Sequence, residues 1–316
     1  MKFSIAMATY NGEEFIIDQI KSIESQDYPV YEIVICDDAS SDKTVELIEE
    51  YSKSSQLQIR IFKNKINTGS AANFARAINL CKGDWIALCD QDDIWFSNKL
   101  STIKEEFERK PDTPIFIHDF IFTNSKLVKK QYTKFERLKS AGNPPQKSIS
   151  GCATIFRDSY TRLLLPFPDG VEHDYWIHLV FEYILPSKII INEPLMLYRR
   201  HGKNVSNSYV TGDLLKSKMG SILHHRTKNS LPSYLRRLNF LEIINERLTK
   251  YPQFNANFLK LENKVSIIKK RINILSSSFP KRQILALRFF WADGYSHFHG
   301  FISFLNDFIR VMRNDT

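Results

Sequence analysis

The stretch IALCDQDDIW, residues 86–95, decides how this chain is read. An apolar run ends abruptly in three carboxylates, Asp90, Asp92 and Asp93, and an aromatic follows at once. Like charges this close disfavour one another's ionised forms. The apolar run reads as a buried strand, and in an open α/β sheet ligands bind beyond the carboxyl ends of the strands. The three acids therefore stand where a site would be.

Upstream, Phe3–Thr9, 32–36 and 57–62 read as strands, and 13–25, 44–53 and Ser70–Leu80 as helices. Residues 85–89 are the fourth strand. Strands separated by helices of this length predict a parallel sheet with right-handed crossovers. A helix is expected over 98–110, a strand over 115–118, and a mobile polar, basic loop over 124–147. Strands at 149–156, 188–191 and 196–200 follow, with a helix over 174–183. After about residue 209 the texture changes to helices at 214–225, 234–249, 258–275 and 283–313, many with Lys or Arg on one side. The expected organisation is an α/β domain over 1–209 and a basic helical region over 210–316.

At 316 residues the chain exceeds the size at which single cores stop growing. With 43% hydrophobic and 25% charged residues it is globular rather than disordered. No apolar run reaches the roughly 18 residues of a spanning helix. The N-terminus is too short and too polar for a signal peptide, so a cytoplasmic location is the expectation. Cys36, Cys81, Cys89 and Cys152 show no Cys-x-x-Cys spacing and read as reduced packing residues. The net charge of +9 divides into −5 over residues 1–195 and +14 over 196–316. That asymmetry suggests an anionic partner, a membrane surface or nucleic acid, or else simply solvated basic helix faces.

Three strand ends carry acids or amides: Thr9-Tyr10-Asn11-Gly12, Asp37-Asp38-Ala39-Ser40-Ser41-Asp42 and Asp90-Gln91-Asp92-Asp93. Their convergence at one sheet edge predicts a polar cleft. Oxygen-rich sites suit Mg²⁺ or Mn²⁺, commonly bound by one or two carboxylates plus substrate phosphates. The alternative is that Asp92 or Asp93 merely caps the following helix. The chain has neither a G-x-x-x-x-G-K-[ST] loop nor a G-x-G-x-x-G turn, so ATP hydrolysis and dinucleotide redox chemistry lack their usual signatures.

Taken together, ATYNG, CDDASSDKT, the Asn67-x-Gly69 turn and CDQDDIW resemble the family 2 glycosyltransferases of the GT-A fold. GVEHDYW and LYRRHGKNVSN are similar to segments of a bacterial rhamnosyltransferase-like subgroup. The resemblance covers about residues 3–207. It implies a Rossmann-like, mostly parallel sheet flanked by helices, with a helical C-terminal extension. It also implies an inverting, metal-dependent transfer from a dTDP or UDP sugar to a saccharide or lipid-linked acceptor. Thr9, Tyr10, Asn11, Asp38 and Asn67 would bind the nucleotide sugar, with Asp38 accepting from the base. Asp90 would touch ribose or metal, and Asp92 would hold Mn²⁺ or Mg²⁺ against the diphosphate. His201 would reach the metal and Arg199 the diphosphate. The subgroup commonly has Gln where this chain has Arg200. Gly151-Cys152 would shape the acceptor pocket, and Trp95 is the aromatic that follows the acids.

Inverting transfer needs a base near the attacking hydroxyl, on the face opposite the leaving group. Asp174 opens a predicted helix and fits that role by resemblance; a first-turn acid stabilised by the helix dipole is the plain alternative. His118-Asp119 occupies another strand end. The basic C-terminal helices would suit peripheral contact with an anionic inner leaflet. A nucleotidyltransferase would need a Gly-rich basic loop, which ATYNGEEF is not. A nucleic-acid-binding scaffold would leave the acidic strand ends unexplained, so no nucleic-acid partner is expected. A non-catalytic family member would need its motif positions degraded, and here they are filled.

Overall fold

The computed structural model describes residues 1–202, 204, 230–278, 280–294, 303–304 and 307–308. It divides into two compact units, Met1–Val210 and Thr211–Thr316. The first unit is built on β1 (Phe3–Thr9), whose residues are almost all buried on both faces. Such a near-continuous apolar run suits the centre of a parallel sheet. β2 (Val30–Asp37) and β4 (Trp85–Asp90) flank β1 in parallel, and β3 (Ile59–Lys63) extends the sheet beyond β2. Helices α1 (Ile16–Glu24), α2 (Thr44–Ser52) and α3 (Ser70–Leu80) connect these strands. Their apolar residues, Ile16, Ile20, Ile23 and Ile48 among them, join Phe3, Ile5, Ile33 and Ile35 in one core.

The base of this layer is tied by Glu32, only 1% exposed. Its carboxylate accepts from Ser4 Oγ at 2.7 Å, Arg60 Nη1 at 2.7 Å and the Lys82 amide at 2.6 Å. Burial pushes this carboxyl up, but the three donors outweigh it and hold it below its usual 4.5. A carboxyl lowered by folding contributes stability above its unfolded value and loses that contribution as pH falls through the folded one. Denaturation at stepped pH should therefore show wild type losing more stability than Glu32→Gln below about pH 4.5. Identical acid limbs would remove Glu32 from this account.

The second half of the sheet is mixed. β8 (Thr154–Arg157) lies antiparallel between β4 and β6 (Ile115–Asn124). β9 (Ile189–Arg200) runs parallel to β6 and also pairs with the two-residue β5 (Ile94–Trp95). The full order is β3-β2-β1-β4-β8-β6-β9-β5, with β7 (Lys129–Thr133) on β6. Helices α4 (Lys99–Arg109), α6 (Thr161–Leu164) and α7 (His173–Phe181) complete the unit, and all four cysteines are free.

Three expectations change in detail. Residues 149–156 begin as a single 3-10 turn, Gly151–Ala153, before β8 starts. The two strands expected at 188–191 and 196–200 are one, running through Pro194, where the β6 register shifts. A proline cannot donate to the ladder, so an irregularity falls there. The loop expected at 124–147 holds β7 and a helix, α5 (Lys134–Ser140). Thr133 Oγ1 accepts from the Glu136 amide while Glu136 Oε2 accepts from the Thr133 amide, a reciprocal cap legible as Thr-x-x-Glu.

The second unit contains α8 (Leu231–Lys250), α9 (Phe258–Ser276) and α10 (Lys281–Trp291). Ser230 caps α8 and Asn257 caps α9. Ile274, Ala286, Phe289 and Phe304 form a small core, and the buried Arg271 pairs with Asp307 at 2.9 Å. The helix expected at 214–225 lies outside the described residues. Among the described residues no helix is long and apolar enough to cross a membrane.

Candidate active site

The parallel strands end in register. Thr9 stands opposite Asp37 and Ala8 opposite Asp90, so the polar tails of β1, β2 and β4 leave the sheet side by side. They open into a cleft of about 950 Å³ within the first unit. The β1 tail is fastened by Gln91, whose carboxamide accepts from the Tyr10 amide at 2.9 Å and donates to its carbonyl at 3.0 Å. A Cβ on Gly12 would collide with that carboxamide, so a larger residue there would push Gln91 off the β1 tail.

Asp38 is buried and accepts four hydrogen bonds. Oδ1 receives Asn64 Nδ2, the Thr68 amide and the Thr68 hydroxyl, each at 2.8 Å, and Oδ2 receives the Gly69 amide at 2.8 Å. Burial raises this carboxyl, yet the donors prevail and keep it below the usual value. Thr9, Tyr10, Asn67 and Asp38 all line the cleft.

Asp90 and Asp92 line the cleft floor, and Asp93 lies beneath it, fully buried. Burial, then the charges of Asp92 and Asp174, push Asp90 up to about 7. Burial, then the charges of Asp92 and Asp90, push Asp93 well above its ordinary range. One oxygen of Asp93 accepts from the Arg199 amide at 3.1 Å; the other is buried with no partner among the described residues. Oxygens of Asp90 and Asp93 and the Cys152 sulfur lie within 4.8 Å of one another. Burial raises the Cys152 thiol far up, which leaves a carboxylate pair as the hard-ligand set. A divalent cation fits that chemistry: its charge, held at the cleft floor, would relieve the crowding of the three acids. Below lies Lys99, buried, donating to the Cys152 carbonyl at 3.1 Å with its Nζ 3.6 Å from the Trp95 ring centre. Burial lowers its pKa to about 8.

Asp174 faces the acids from the first turn of α7. Its Oδ1 accepts from the Tyr175 amide at 2.6 Å. His173 beside it stacks on Phe74 with ring centres 4.0 Å apart, and burial keeps it neutral. Both its ring nitrogens are buried without hydrogen-bond partners among the described residues. Gly151 makes room for this ring: a Cβ there would stand 2.5 Å from His173 Nε2. Gly151→Ala should therefore displace the imidazole and destabilise the unit by about 1–3 kcal/mol in a denaturant titration. An unchanged midpoint would mean that His173 can swing aside freely.

Three residues expected at the substrate lie off the cleft wall. The Asn11 carboxamide accepts from the Ser41 amide at 2.8 Å, which ties two loops together. Arg199 is 4% exposed and donates to the Asp92 carbonyl, the Ser125 carbonyl and Asp18, with its guanidinium over Phe15. His201 stacks on Phe15, and its Nε2 is 2.8 Å from Asp92 Oδ2, which also accepts from Asn204 Nδ2 at 3.1 Å. These residues brace the acidic loop from behind. His118 and Asp119 are buried in the sheet away from the cleft, with Asp119 Oδ1 accepting from the Phe120 and Phe135 amides. Gln91, Asn204 and the cations Lys134 and Arg137 line the cleft without having been singled out. Only the capping pattern at Thr133 hinted at the last two.

The family model described as glycosyl transferase family 2 matches residues 4–164, and the chain belongs to that family. The match contains Asp38, Asp90 and Asp92; Asp174, Arg199 and His201 lie beyond it. Escherichia coli WfgD, a UDP-Glc:alpha-D-GlcNAc-diphosphoundecaprenol beta-1,3-glucosyltransferase, is 30% identical over 181 residues, 56% of this chain and 68% of that one. The dTDP-rhamnosyl transferase RfbG of Shigella flexneri is 25% identical over 268 residues, 77% of this chain and 88% of the other. Among solved structures, S. aureus TarS 1-349 with UDP-GlcNAc superposes with a TM-score of 0.60 at 17% identity, covering 98% and 90% of the two chains. The fold is GT-A, with a helical C-terminal region.

Proposed function

We propose that this chain is an inverting glycosyltransferase that moves a sugar from a nucleoside diphosphate to an acceptor hydroxyl in the synthesis of a surface polysaccharide. The supporting observation is electrostatic. Asp174 stands close enough to Asp90 to help raise its pKa to about 7, so base and donor acids share one cleft. Thr9, Tyr10, Asn67 and Asp38 form the nucleoside end. A bound Mn²⁺ or Mg²⁺, held by Asp90 and Asp92, would neutralise the leaving diphosphate. His201 and Asn204 orient the Asp92 carboxylate through their contacts with its Oδ2. Asp174 takes the proton of the acceptor hydroxyl as its oxygen bonds to the anomeric carbon and the bond to the diphosphate breaks. The anomeric configuration inverts because attack and departure occur on opposite faces.

Residues 1–209 would carry this chemistry, and the basic region after them would rest on an anionic cytoplasmic leaflet. The activities of WfgD and RfbG favour a UDP or dTDP donor, glucose or rhamnose as the sugar, and a lipid-linked saccharide as acceptor. Thermal stabilisation by UDP, dTDP, GDP and CDP, each with and without Mn²⁺, tests the reading. At a hundred times its Kd the correct nucleotide adds about 2.7 kcal/mol. No shift with any of the four, from folded protein, would overturn it.

A further inference from the structure

The cleft carries charges of both signs. Its lining carries the acids Asp38, Asp90, Asp92, Glu172 and Asp174 and three cations, Lys134, Arg137 and Arg200. These three cations come from two elements. Lys134 and Arg137 lie on α5, and Arg200 ends β9 opposite Asn124 of β6. They converge on two touching rings. The Arg137 and Arg200 guanidiniums stand 5.6 and 5.9 Å from the centre of Phe122, and Lys134 Nζ is 5.9 Å from that of Phe120. The rings themselves are 5.1 Å apart.

Like charges gathered on an apolar wall repel one another and lose hydration. Burial, with Arg137 and Arg200 adding to it, lowers the Lys134 pKa, and Asp174 is one of the groups opposing that shift. Neither Lys134 nor Arg200 has a side-chain hydrogen bond or ion pair among the described residues. Lys134 and Arg200 therefore line the same cleft as Asp174 without an ion pair among the described residues.

We propose that Lys134, Arg137 and Arg200 form a subsite for a phosphate group carried by the acceptor, so that the substrate is a phosphorylated saccharide and not a neutral glycan. A phosphate held there by charge-assisted hydrogen bonds would set the acceptor's distance from Asp174. The diphosphate of the donor belongs with the cation that the acids would hold; this anion is a second one. The inference rests on the glycosyl-transfer reading above.

The test uses the full chain with UDP or dTDP and Mn²⁺ saturating the donor pocket. Binding of glucose 1-phosphate, of its alkyl diphosphate ester and of methyl glucoside is then measured by calorimetry. Either phosphorylated probe should bind at least tenfold more tightly than the neutral one, with an affinity that falls as salt rises. Equal binding of both places the recognition in a sugar phosphate; preference for the alkyl ester places it in a lipid-linked diphosphate. Lys134→Gln and Arg200→Gln should each weaken the phosphorylated probe by roughly tenfold to a hundredfold. Lys134→Arg should restore most of it. In each variant the nucleotide-induced thermal shift reports folding and the donor pocket. Retained nucleotide stabilisation with charge-blind acceptor binding would overturn the subsite alone. No nucleotide stabilisation in wild type would overturn the transfer reading and the subsite with it.

Discussion

Asp174→Asn should lower the turnover of sugar transfer by roughly 10²–10⁴ while leaving nucleotide binding intact. The substitution is nearly isosteric, and an Asn oxygen can still accept from the Tyr175 amide as Asp174 Oδ1 does at 2.6 Å. What disappears is a group able to take the acceptor's proton. The nucleoside end, with Thr9, Asn67 and Asp38, is built from other strand tails, so its affinity should not follow. Single-turnover transfer measured beside nucleotide-induced stabilisation separates the two. Near-normal turnover would remove Asp174 from the mechanism and leave it as a first-turn helix acid.

The second large effect is expected at Asp92. Asp92→Asn should abolish the Mn²⁺-dependent part of nucleotide stabilisation, out of a total of about 2.7 kcal/mol at a hundred times Kd. The amide can keep contacts with His201 and Asn204, so the loop should hold its shape while one negative charge is lost. The metal dependence of the shift is the discriminating quantity. A variant whose Mn²⁺-dependent shift matched wild type would exclude Asp92 as a ligand and direct attention to Asp90 and Asp93, whose oxygens cluster with the Cys152 sulfur.

Much of the parallel half was legible because each apolar run ends in a polar tail, and the tails carry the motif residues. Ile86 to Cys89 could only be a buried strand, and Asp90 to Asp93 its mouth. Less was legible where burial contradicts polarity. His118 and Asp119 looked like a strand end, yet β6 continues to Asn124 because Asp119 satisfies the Phe120 and Phe135 amides inside the sheet. Arg199 looked like a diphosphate ligand because it neighbours His201. In the fold its side chain reaches Asp18, the Asp92 carbonyl and the Ser125 carbonyl, partners separated from it by many residues of chain. Lys134 and Arg137 were hidden in a stretch whose composition suggests a loop. Only pairing with β6 and the Thr133 cap turns those residues into a cleft wall.

The four hydrogen bonds to Asp38 also bear on which nucleobase can sit against it. Every one of them arrives from a donor, and they hold the carboxyl below its ordinary value, hence ionised at neutral pH. Oδ2 carries a single bond, so its remaining lone pair can only accept. Uracil and thymine present an imino hydrogen at N3, and guanine one at N1, whereas cytosine offers a lone pair at N3. If the base sits against Asp38 as proposed, a fixed acceptor there pairs with the imino hydrogen of the first three. Cytosine can meet it only through its N4 amino group with N3 turned aside, which makes CDP the nucleotide expected to stabilise the protein least.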